Sequence, residues 1–64
     1  MISLNGKPRE GTGMSLEELL KTEGFNMAQV AVGLNGDVAP KEDYSSLILK
    51  DGDKVEVFQF MGGG

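Results

Sequence analysis

Sixty-four residues without cysteine or histidine must hold together by packing alone, and ten acidic against six basic side chains leave a net charge of −4. The missing residue types exclude disulfides and thiolate zinc sites and remove the commonest general base, the commonest metal ligand and the best nucleophile, which argues against an enzyme working by itself. The acidic balance lacks the basic footprint of nucleic-acid binding, and with no apolar run of the ~18 residues a membrane span needs and no signal-peptide pattern at the start, the expectation is one domain, cytoplasmic and monomeric when free.

Met1-Ile2-Ser3-Leu4 alternates as a half-buried strand does, with Ile2 and Leu4 inward. Asn5-Gly6 is a hairpin signal, because both turn positions tolerate positive φ. Lys7 to Glu10 is then the return strand, and Pro8, which has no backbone donor, places it at a sheet edge. Gly11-Thr12-Gly13 connects onward and lacks the spacing and the Lys-Ser/Thr pair of a phosphate-binding loop. Ser15 with Glu18 three residues later has the pattern of a capping box, and Met14 is placed to staple onto Leu19. Leu16, Leu19 and Leu20 fall on one helical face, with Glu17 and Glu18 at the end of the helix where negative charge is favoured. Gly24 reads as the left-handed stop, and Phe25 folds back on the last turn.

Val30 to Leu34 is the next strand, turning again at Asn35-Gly36. Asp37 to Ser46 carries turn chemistry, with Tyr44 and Leu47 anchoring that loop to the core. Asp51-Gly52-Asp53 reads as a tight turn, since no full calcium-loop spacing follows. Lys54 to Phe60 is the last strand. Alternation puts Val55 and Val57 on the face of Val30 and Val32, and turns Glu56, Phe58 and Phe60 the other way, beside Ala31 and Gly33. One short helix covers one face of a sheet, so the second face meets solvent. Exposed apolar surface of this kind marks binding sites. Phe58, Phe60 and Met61 are therefore the candidate partner contacts, with a second small core as the competing reading.

The sequence then ends in Gly62-Gly63-Gly64. Glycine loses the most freedom on ordering and has nothing to bury, so the run suits a narrow enzyme pocket better than a core. Three extended residues carry the Gly64 carboxylate roughly 10 Å beyond the last ordered position. A frayed end or an appended linker is the competing reading of the glycines alone. The division is a domain over residues 1–61 and a tail over 62–64. Strands before and after one helix give an α+β layer pair, with the first and last strands as central neighbours.

The ordered set of Asn5-Gly6, Ser15-Leu16-Glu17-Glu18-Leu19-Leu20, Val30 to Leu34 with Asn35-Gly36, Val38-Ala39-Pro40-Lys41, Asp51-Gly52-Asp53 with Val55 and Val57, and the closing diglycine resembles the sulfur-carrier proteins of thiamine biosynthesis over essentially the whole chain. Tyr44 stands where relatives often have Trp, and Gly62 extends the usual diglycine to three. The resemblance implies a ubiquitin-like β-grasp fold, a mixed sheet of four to five strands on one short helix. It implies a carrier that binds no cofactor itself. An adenylating, E1-like enzyme would use ATP and magnesium to activate the Gly64 carboxylate, with Gly63 the other half of the diglycine. The acyl-adenylate would become a thiocarboxylate, and its sulfur would pass to a thiazole synthase. Three alternatives share parts of this pattern: the small subunit of molybdopterin synthase, a ubiquitin-like protein modifier, and a plain interaction module.

Overall fold

The computed structural model describes residues 1–60 of the chain. Its two Asn-Gly dipeptides make its two hairpins. Asn5 and Asn35 take φ values of 51° and 52°, followed by Gly6 at 84° and Gly36 at 89°, the consecutive positive angles that a type I′ turn requires. The first turn joins β1 (Ile2–Leu4) to β2 (Lys7–Arg9), and the second joins β3 (Val30–Leu34) to β4 (Asp37–Ala39). The last strand, β5 (Lys54–Gln59), lies between the hairpins, parallel to β1 and antiparallel to β3. The order is β2-β1-β5-β3-β4. Pro8 thus sits on an edge strand, and β1 and β5 are neighbours, as the sequence requires.

The single α-helix, α1 (Leu16–Thr22), begins at Ser15, whose Oγ accepts the Glu18 amide at 3.1 Å. This is the serine half of the expected capping box. The amides of Leu16 and Glu17 donate instead to the carbonyls of Leu47 and Tyr44, so the loop after β4 satisfies the rest of the first turn. At the other end Gly24 has φ 83°. Its amide bonds Lys21 O, and the Phe25 amide bonds Leu20 O, the paired bonds of a Schellman stop. Leu16, Leu19 and Leu20 are buried against Ile2, Leu4, Val30, Val32, Val55 and Val57 of the sheet, with Met14 and Phe25 packed at the margin.

The stretch from Asp37 to Ser46 is more ordered than its turn chemistry suggests. Asp37–Ala39 is strand β4, paired with β3 from Leu34↔Asp37 to Val32↔Ala39, and Lys41–Asp43 forms a 3-10 turn after Pro40. The Asn35-Gly36 turn forces a return strand even of three residues. Tyr44 is buried and Leu47 packs on the core, so the loop is anchored as expected. Leu49, fully buried, and Leu47 pair with Met14 and Leu16 through backbone bonds of 2.8 Å. β2 stops at Arg9 and β5 at Gln59, one residue short of the expected ends. Among the described residues no helix is long and apolar enough to cross a membrane.

Candidate functional site

The sheet face opposite α1 is built by alternation along β5. Val55 and Val57 enter the core, while Lys54, Glu56 and Phe58 point away from it. Phe58 is 57% exposed and Phe60, just beyond the strand, 61%. Phe58 stands opposite Ala31, and Glu56 opposite Gly33, so the neighbouring strand presents too little side chain to cover either. Among the described residues no second core closes over the phenylalanines. Gly33 in turn pairs with Val38 on β4, which is 82% exposed. Val38, Ala31, Phe58 and Phe60 therefore form an apolar patch on one side of the molecule, with Glu56 among them. Val38 was not legible as part of this patch while Asp37 to Ser46 read as a loop. Its signal was the position two residues after the second hairpin turn.

The end of β5 is fixed by one backbone bond past the strand, from the Phe60 amide to Gln29 O at 2.8 Å. This places the exit of the chain beside the aromatic patch. Met61, Gly62, Gly63 and Gly64, the other candidate residues, lie outside the described residues.

β5 is braced at its start by Asn35 and at its middle by Asn5, the two turn asparagines. Asn35 Oδ1 accepts the Lys54 amide at 2.9 Å, and its Nδ2 donates to Asp53 at 3.0 Å. Asp53 also accepts the Lys50 amide at 2.8 Å. These bonds, the Lys50 amide first, hold the Asp53 carboxyl below its usual range. Asn5 Oδ1 accepts the Val57 amide at 2.8 Å, continuing the contact between the first hairpin and β5 beyond the end of β1. Asp51-Gly52-Asp53 is the tight turn expected, with Gly52 at φ 88° and the terminal amine of Met1 paired to Asp51. On the core side, burial pushes the Tyr44 phenol up, opposed by its bond to the Val32 backbone.

An open hollow of about 600 Å³ lies on the β1–β5 side, lined by Ser3, Asn5, Gly6, Lys54, Val55 and Glu56. Among the described residues no group of three or more acidic side chains is arranged to hold a metal ion. What the arrangement offers chemically is a sticky face next to a chain exit.

A family model described as the ThiS family matches residues 2–64. The chain is 41% identical over 64 residues to the sulfur carrier protein ThiS of Thermus thermophilus, covering all of both chains. It is 39% identical over 64 residues to a protein of Paramagnetospirillum magneticum named thiazole synthase; that match takes in 98% of this chain and 20% of the other. The chain spans about a fifth of the length of the two thiazole synthases it matches. The crystal structure of the thiamine biosynthesis protein ThiS from Geobacter metallireducens superposes with a TM-score of 0.80 at 37% identity, covering 98% of this chain and 97% of that one.

Proposed function

The chain belongs to the ThiS family, the sulfur carriers of thiamine biosynthesis, and we propose that it carries its sulfur on the carboxyl group of Gly64. The observation that supports this reading is the family match running through residue 64, onto the glycines. Of the alternatives open in the sequence, the match falls on the thiamine carriers.

A carboxylate is a poor electrophile, so it must first be given a leaving group. In the proposed sequence a carboxylate oxygen of Gly64 attacks the α-phosphorus of ATP on an adenylating enzyme, and pyrophosphate departs. A sulfur donor then displaces AMP from the acyl-adenylate, leaving a thiocarboxylate. Its sulfur is a stronger nucleophile than the oxygen it replaces, and it attacks the substrate of a thiazole synthase. The partner enzymes supply magnesium and positioning, so this chain itself catalyses nothing. Gly62 and Gly63 let the backbone enter a tight channel without a Cβ clash. Support for thiazole synthase as acceptor comes from the proteins of that name that include a stretch like this chain.

The aromatic patch supplies docking. Phe58 and Phe60 are exposed where β5 ends, and Met61 follows them in sequence. Aromatic residues and Met are enriched at interface cores, and Met adapts to more than one partner, as a carrier visiting two enzymes needs. Gly63→Ala, or one residue added after Gly64, tests the chemistry. Either change should abolish ATP-dependent loading while leaving the thermal melt unchanged. Normal loading of both variants, read by intact mass, would reject the proposal.

A further inference from the structure

We propose that the open sheet face holds a socket at Gly33 that receives one arginine side chain of the docking partner, with Glu56 as its ion-pair acceptor; this rests on the docking role given to that face above. The socket follows from strand register. Gly33 pairs with Glu56 on β5 and with Val38 on β4, so a position between two side chains carries none of its own. Two places back along β3 stands Ala31, paired with Phe58. A Cβ built on Gly33 would meet only the Asp37 carbonyl oxygen at 3.8 Å and Glu56 Cβ at 4.0 Å. The gap therefore opens outward, with Glu56 on one side, Val38 on the other and Phe58 diagonally across.

Glu56 sets the charge of the occupant. It is exposed on the face turned away from the core. Among the described residues the ion pairs are Met1–Asp51 and Arg9–Glu23, so no cation of the fold is paired with it, Lys54 two places away included. In water such a carboxylate is well solvated. Once a partner covers Phe58, the carboxylate two residues away on the same face loses water as well, and a buried charge without a counterion is strongly unfavourable. A wholly apolar or an acidic partner surface is thereby rejected.

Gly33 sets the shape. A flat surface laid over the face would leave a void above this residue, and the atoms lining a void lose their contacts. A long side chain entering from the partner fills the gap and reaches the carboxylate. Of the two long cations, arginine fits better. Its planar guanidinium pairs with a carboxylate through two parallel bonds, stacks on an aromatic ring such as that of Phe58, and is less strongly hydrated than an ammonium.

Titration calorimetry of the adenylating partner against full-length variants tests this, with thermal melts as the control for folding. Gly33→Val adds a strand-favouring side chain at an open position; it should melt at or above wild type and bind roughly tenfold more weakly. Glu56→Gln keeps the shape, loses the charge and should bind roughly 10- to 100-fold more weakly. Alanine variants of the partner's arginines and lysines, each combined with Glu56→Gln in a double-mutant cycle, should single out one arginine that couples to Glu56. Wild-type affinity in Glu56→Gln or in folded Gly33→Val overturns the socket, as does coupling to a lysine or to no residue. If Phe58→Ala alone weakens binding, the docking reading survives without the socket. If the wild-type chain does not bind the adenylating partner, both fall. Variants that bind as expected on a chain that is never charged refute the sulfur-loading reading and leave the socket standing.

Discussion

Val57 and Phe58 are adjacent on β5 and face opposite ways, so truncating each to alanine separates packing from docking. Val57 is 8% exposed and sits in the core. A fully buried valine contributes about 1.5 to 3 kcal/mol, so Val57→Ala should cost about 2 kcal/mol. At this chain length about 1 kcal/mol corresponds to roughly 7 °C in Tm, which puts the Val57→Ala melt about 15 °C low. Phe58 is more than half exposed and faces Ala31. Of the ~200 Å² a phenylalanine offers, roughly 80 Å² is covered, and alanine keeps part of that cover, leaving a cost of about 1 kcal/mol. A buried phenylalanine would cost about 3 to 5 kcal/mol. Binding should show the reverse order. Phe58→Ala removes an aromatic anchor worth about 2 kcal/mol at an interface, or roughly 30-fold in Kd for the adenylating enzyme. Val57→Ala should bind normally below its melting temperature. Thermal melts and titration calorimetry on the two variants decide the matter. A Phe58→Ala variant that melts below Val57→Ala, or that binds like the wild type, would refute the assignment of this face.

Ser15→Ala should lower the urea unfolding free energy by about 1 kcal/mol without changing its slope, because one cap bond, to the Glu18 amide, is lost. Gly11→Ala should cost about 1 to 3 kcal/mol, since the added Cβ would lie 2.9 Å from Cδ1 of buried Ile2. Gly33→Ala, whose Cβ meets nothing nearer than 3.8 Å, should be tolerated in the same melt. The Asp53 carboxyl is held below its usual range, so its contribution is present above the unfolded value of about 3.9 and is lost as pH falls through the folded value. Asp53→Asn should therefore be less stable than wild type in urea at about pH 7, with the gap narrowing as pH falls below about 3.9 and through the lower folded value. A gap that persists in acid would show that the charge is not what stabilises the turn.

The parts of the fold set by local rules were open to reading from the sequence. Both Asn-Gly turns, the Ser15 cap, the Gly24 stop and the two-faced β5 follow from φ preferences and periodicity, which act over a few residues. Phe58 and Phe60 could be placed on the open face for the same reason. The rest depends on contacts far apart in the chain. β4 is three residues long and half surrounded by turn-forming types, and pairing with β3 is what makes it a strand. The Leu16 and Glu17 amides are satisfied by carbonyls about thirty residues later, contacts that helical periodicity does not announce. The bond from Lys41 Nζ to Ala28 O, at 3.3 Å, joins two irregular segments with no periodicity to announce it. The terminal glycines are read from chemistry rather than from folding rules, and they lie outside the described residues.

The most direct measurement of the central claim is a thiol-specific alkylation of the chain after incubation with the adenylating partner, ATP and a sulfur donor. A mass gain of about 16 Da alone does not suffice, since oxidation of a methionine gives the same shift. The chain has no cysteine, so any alkylated product must carry sulfur introduced by the reaction. The account predicts one alkyl group per chain, mapped to Gly64 and absent without ATP. A chain that gains mass but resists alkylation, or that is alkylated elsewhere, contradicts it.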